Sequence, residues 1–141
     1  MNHERTTLVI VPRWGGTGTS DFYPWLVERA SEKLGLDTRV AALAPHEDAP
    51  EPAATARAVR EALAPLGRVI VLAHSVGCRA ALLAASELSE GRIAHLLLVA
   101  GWFTVDRPWP SIGPWLREDL FDPDRVRASV ARMSVLVSDD D

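Results

Sequence analysis

The chain has 141 residues, the length of one domain and too short for two that each bury a core of their own. Its 48% apolar and 24% charged residues suit a folded protein and argue against disorder. Fifteen basic residues against nineteen acidic ones give a net charge of −4, and the basic residues are scattered singly, so the basic stripe that phosphate neutralisation requires is missing and no nucleic-acid partner is expected.

The first apolar run, Leu8-Val9-Ile10-Val11, reads as a strand and leads into a Gly-rich loop, Pro12 to Asp21. Asp21 is expected to cap a helix that places Phe22, Leu26, Ala30 and Leu34 on one side, tolerates Pro24 near its start and ends at Gly35. A second run, Val40 to Leu43, precedes an amphipathic helix with Ala56, Val59, Leu63 and Leu66 on one face and Arg57, Arg60 and Glu61 on the other. The third run, Val69 to Ala73, feeds a helix from about Gly77 to Leu88 that is apolar on nearly every side and is expected to be deeply buried. A fourth run, Leu96 to Ala100, is followed by a loop rich in Trp, Pro and Gly, then by a short helix beginning near Asp122 or Asp124, and a fifth run, Val135 to Val137, closes the series.

None of the five runs alternates apolar with polar residues, the pattern of strands covered on both faces of a parallel sheet. The gaps between them are too long for hairpins and long enough for crossover helices. The expected fold class is therefore α/β, a doubly wound parallel sheet in strand order 2-1-3-4-5, forming a single domain over 1–141. The longest nearly apolar stretch, Leu96 to Phe103, falls far short of the roughly 18 residues that a spanning helix needs, and Leu8 to Val11 is too short for the apolar segment of a signal peptide. With a lone cysteine, Cys78, which cannot form an internal disulfide, a cytoplasmic protein without a membrane partner is expected.

Chemistry concentrates at the end of the third run, where the chain reads Ala73-His74-Ser75-Val76-Gly77 and passes directly into the buried helix. This is a variant of the G-x-S-x-G nucleophile elbow: a sharp strand-to-helix turn lifts a Ser hydroxyl above the sheet, and small residues two places either side let the two backbones pass closely. Ser75 then sits at a helix N-terminus, where free amides and the helix dipole stabilise a developing oxyanion, and the Val76 amide is the natural first donor. The bland alternative is a helix-capping Ser in a plain doubly wound fold.

The Gly-rich loop fails as a dinucleotide fingerprint, because Gly16-x-Gly18 has Asp21 where a third Gly is needed, and no Lys follows its glycines as a P-loop requires. No cofactor or metal is expected. Beside an elbow such a loop supplies the second oxyanion amide, and otherwise it is a flexible connection.

The chain resembles the YdeN-like, retinoblastoma-binding protein nine family of small α/β-hydrolases. The resemblance rests on Ile10-Val11-Pro12 with its loop, Tyr23-Pro24-Trp25-Leu26, Ala73 to Cys78, Leu97 to Gly101 and Ser138-Asp139-Asp140-Asp141, in the family's order over nearly the whole chain. It implies that Ser75 is the nucleophile, that Asp141 is the triad acid, and that the substrates are small esters or related acyl compounds. Arg13 stands where the family usually has Gly, which makes Trp14 the expected second oxyanion amide, and Asp21-Phe22 replaces the family's common His-Trp. The family also continues past the position of Asp141 through a strand and helices that carry the catalytic His, so the resemblance implies a C-terminally incomplete fold and an impaired enzyme.

Among the four histidines, His95 begins a strand at the edge opposite the site, His74 is expected to make a structural hydrogen bond, His3 lies in the N-terminal tail, and His46 follows the second strand in an ordinary polar loop. Cys78 reads as a small core residue. Trp102 and Trp109, with Trp115, read either as an acyl pocket or as ordinary loop packing. The acidic run Asp139 to Asp141 has a plain alternative as a solvated end. An incompletely covered sheet face over the fourth and fifth strands is expected to expose apolar side chains, with homodimerisation or marginal stability as the consequence. The reading from another class is a catalytically silent protein-interaction or small-ligand module on the same fold.

Overall fold

A computed structural model describes residues 5–43, 51–102 and 104–139. Five strands, β1 (Thr7–Val11), β2 (Asp37–Val40), β3 (Val69–His74), β4 (Ile93–Val99) and β5 (Met133–Leu136), form one sheet in the order β2-β1-β3-β4-β5, every neighbouring pair parallel. Helices α1 (Tyr23–Leu34), α2 (Pro52–Leu63), α3 (Gly77–Ala85) and α4 (Pro123–Ser129) alternate with the strands, and a 3-10 turn spans Pro110–Trp115. This is the expected doubly wound α/β architecture and strand order.

The two faces follow from the alternation of side chains along each strand. Leu8, Ile10 and Leu72 pack with Tyr23 and Ala30 of α1 on one face. Val9, Val11, Val71, Ala73, Leu96 and Leu98 face α2 and α3 on the other, in a larger core that also takes in Trp115 and Val126. The central strands bury both of their faces, which is why they read as unbroken apolar runs.

The outer elements depart from the sequence reading. The second strand lies at Asp37–Val40 rather than Val40 to Leu43. Being an edge strand with alternating exposure, it needs no continuous apolar run, and its polar Asp37 and Arg39 concealed it. Asp21 does not cap α1, because its carboxylate is drawn instead to Arg13 Nε at 2.6 Å. Leu34 is 71% exposed. The left-handed Gly35 (φ 63°) folds the chain back so that the Leu36 N–H bonds Ala30 O, and Leu36 packs against the α1 core in its place. Helix α3 ends at Ala85, three residues short of the expected Leu88, and α4 begins where expected, with the Asp122 side chain accepting from the Asp124 and Arg125 amides.

On the α1 face, Leu97 and Val99 are half-buried and Leu136, paired with Val99, is 67% exposed. The apolar exposure expected there is present at Leu136, and it extends to the opposite face, where the short α4 leaves Met133 and Val135 of the edge strand exposed as well. No helix among the described residues is long and apolar enough to cross a membrane.

Candidate active site

Three non-glycine residues among those described have positive φ: Asp21 (49°), Ser75 (56°) and Ala100 (52°). Asp21 immediately precedes α1's N-cap, Ser75 follows β3, and Ala100 follows β4. Left-handed backbone at a residue with a Cβ costs of order 1–3 kcal/mol and persists where the surroundings over-determine it. At Ser75 they do. Its N–H is held by Val99 O of the neighbouring strand at 2.9 Å, and its C=O accepts the Cys78 N–H at 3.0 Å, so the residue ends one ladder and starts one helix within a single step.

The small residues flanking Ser75 have separate reasons. A Cβ on Gly77 would stand 2.6 Å from both Val11 O and Pro12 O, so the first turn of α3 can lie against the end of β1 only because no side chain is there. Ala73 is fully buried, and its carbonyl accepts the Cys78 thiol at 3.3 Å. Desolvation pushes Cys78 up to about 12, which keeps it a neutral thiol bonded to Ala73 O and Val99 O, in accord with its reading as a core residue.

Val76 is the N-cap of α3, and no hydrogen bond among the described residues uses its N–H. The loop after β1 makes a tight turn in which Gly16 N–H bonds Arg13 O at 3.0 Å, with Gly15 left-handed at φ 65°. Arg13's own N–H is committed to the Tyr23 hydroxyl at 2.9 Å, whereas the Trp14 N–H has no acceptor among the described residues. The Arg13 guanidinium straps this loop down by bonding Asp21 through Nε and Trp14 O through Nη1.

Neither described histidine is placed as a general base. His74 is half-buried, its Nδ1 is 2.8 Å from the Tyr23 hydroxyl, and the Phe22 ring packs edge-on at 5.0 Å. Desolvation lowers its pKa, opposed by the charge of Asp21 and assisted by that of Arg13. His95 lies within β4 rather than at its start, with Nε2 2.8 Å from Ser134 Oγ on β5. His3, His46 and Asp141 lie outside the described residues.

The tryptophans separate into different environments. Trp115 is fully buried and packs 6.3 Å from the Trp14 ring, and the half-exposed Trp109 meets Trp14 edge-on at 6.4 Å. Trp102 lines a cavity of about 590 Å³ between α3, α4 and β5 that Cys78, Leu98, Phe121 and Val135 also line and that Ser75 does not reach. Arg79, 4% exposed, is part of the same wall, with its guanidinium carbon 6.0 Å from the Trp102 ring centre and 5.9 Å from that of Phe121. Sequence reasoning missed this buried Arg, for which the signal is a single charge one turn into an otherwise apolar helix. It also assigned no role to Tyr23.

A profile of the family described as serine hydrolase matches residues 8–140. Five solved chains match significantly. The ydeN gene product of B. subtilis superposes with a TM-score of 0.77 at 22% identity, covering 96% of this chain and 73% of that one. An N-formylmaleamic acid deformylase from Pseudomonas putida superposes with a TM-score of 0.60 at 21% identity over 75% of this chain, which spans only 43% of the deformylase's length. No curated protein sequence matches significantly. With nearly its whole length matched by the family profile, on a sheet shared with these hydrolase-like folds, the chain belongs to the serine hydrolase family.

Proposed function

We propose that Ser75 is the nucleophile of this hydrolase, that Val76 and Trp14 supply the oxyanion amides, and that its substrates are small esters or related acyl compounds. The observation that carries this reading is the left-handed Ser75 at the β3 to α3 turn, with Gly77 pressed against the end of β1. Ser75 Oγ attacks the carbonyl carbon while its proton passes to a base, and the carbonyl π electrons move onto the oxygen, which the two free N–H groups receive. Collapse of this adduct, with the protonated base returning its proton to the leaving oxygen, expels the alcohol and leaves an acyl-enzyme, which water hydrolyses. The aromatic group around Trp14 and Trp109 supplies apolar walls for the acyl part, whereas Trp102 faces the separate cavity between α3, α4 and β5.

Asp141 is the proposed triad acid, orienting a histidine that the described residues do not provide. Turnover is therefore expected near the residual level that an oxyanion hole and binding give without a base. The second reading is a catalytically silent binding module on the same fold.

An assay of aryl esters against the corresponding formamides, with and without added imidazole and read above protein-free blanks, tests the choice. Saturable ester hydrolysis that rises with free imidazole is the expected result. No protein-dependent rate with either substrate class would favour the silent module.

A further inference from the structure

Tyr23, at the first position of α1, has a fully buried ring and a hydroxyl that links two other segments. The oxygen accepts the Arg13 N–H at 2.9 Å and lies 2.8 Å from His74 Nδ1. The phenol carries one hydrogen, and among the described residues His74 Nδ1 is the acceptor within its reach, so that hydrogen goes to Nδ1 and His74 is the neutral tautomer protonated on Nε2. In the next peptide unit, the Arg13 carbonyl accepts from the Gly16 N–H. Because the peptide is trans, that bond turns the Trp14 N–H to the opposite side. A single hydrogen-bonded line thus runs from the residue before Ser75 to the Pro12–Arg13 peptide, directly before the peptide that carries the second oxyanion donor.

We propose that Tyr23 is a positioning residue for the oxyanion hole, its hydroxyl holding the Trp14 N–H in register with the Ser75 elbow by bonding His74 and Arg13 together. The inference rests on the assignment of Ser75, Val76 and Trp14 above. It makes a specific demand on His74, which must be neutral: a hydrogen on Nδ1 would turn the imidazole into a donor and leave the buried phenol hydrogen without an acceptor among the described residues, weakening the link. The groups facing His74 are the Phe22 and Tyr23 rings and the paired charges of Asp21 and Arg13. Burial lowers the imidazole's pKa and raises that of the phenol, so both stay neutral at physiological pH.

The test is the rate at which a fluorophosphonate phosphonylates Ser75, measured with imidazole present in the wild-type chain and in Tyr23→Phe. At neutral pH Tyr23→Phe is expected to react about tenfold more slowly, less than the ~10²–10³ lost when an oxyanion donor is removed outright. As His74 protonates at acidic pH the gap is expected to close, which a merely structural loss would not produce. Val59→Ala, a truncation beneath α2 away from the link, controls for stability and is expected to lower the melting temperature without slowing labelling. Equal labelling of Tyr23→Phe and wild type, or a gap that does not change with pH, would overturn the proposal while leaving the nucleophile in place. Absence of labelling in the wild type would overturn the Ser75 assignment and this inference with it. Should Tyr23→Phe fail to fold, ¹⁵N NMR of wild-type His74 decides: Nε2 protonation with Nδ1 as acceptor supports the link, and the opposite tautomer overturns it.

Discussion

Ser75→Ala is expected to reduce imidazole-supported ester hydrolysis about a thousandfold, or to the protein-free blank, a loss of ~4 kcal/mol in transition-state stabilisation. The substitution removes only the hydroxyl. The left-handed turn is imposed by the Val99 and Cys78 bonds to the Ser75 main chain, which alanine keeps, so the fold and its melting temperature should hardly change. An alanine variant that retains most of the rate would place the nucleophile elsewhere. The comparison is read from initial rates together with a thermal melt of each protein.

Gly77→Ala is expected to do the reverse and damage the fold first. The new methyl group would stand 2.6 Å from two main-chain oxygens at the end of β1, atoms that cannot swing aside as the tip of a side chain could. Either α3 or β1 must shift, at an expected ~3 kcal/mol, the upper end of what overpacking usually costs. In a domain of this size that lowers the melting temperature by about 10 °C. Gly113→Ala provides the contrast, since nothing lies within 4 Å of the position its methyl group would take, and it should shift the melt by no more than about 2 °C. Circular dichroism on the two variants checks both numbers. A Gly77→Ala protein as stable as the wild type would contradict the close approach of α3 to the end of β1.

The parts of this molecule legible in its sequence are those fixed by burial and by backbone sterics. The central strands announce themselves because both faces are covered, and the elbow because its turn tolerates only small neighbours at positions 73 and 77. Edge strand β2 was harder to place, since exposed Asp37 and Arg39 look like loop and only pairing with β1 makes them strand. Asp21 resembles a cap in sequence, but its carboxylate goes to Arg13, a partner eight residues earlier that no local pattern points to. The Tyr23 hydroxyl was invisible for the same reason. Its partners lie on two other segments, and a tyrosine starting an amphipathic helix looks like any core aromatic until the loop and the elbow are brought to it.

The most direct measurement is peptide mapping by mass spectrometry after treating the native 141-residue chain with a fluorophosphonate in the presence of imidazole. The expected result is one phosphonyl group, on the peptide that spans the β3 to α3 turn and localised to Ser75, absent from Ser75→Ala and from denatured protein. An adduct on any other residue, or labelling of the denatured chain as fast as the native one, would contradict the assignment of Ser75 as the nucleophile.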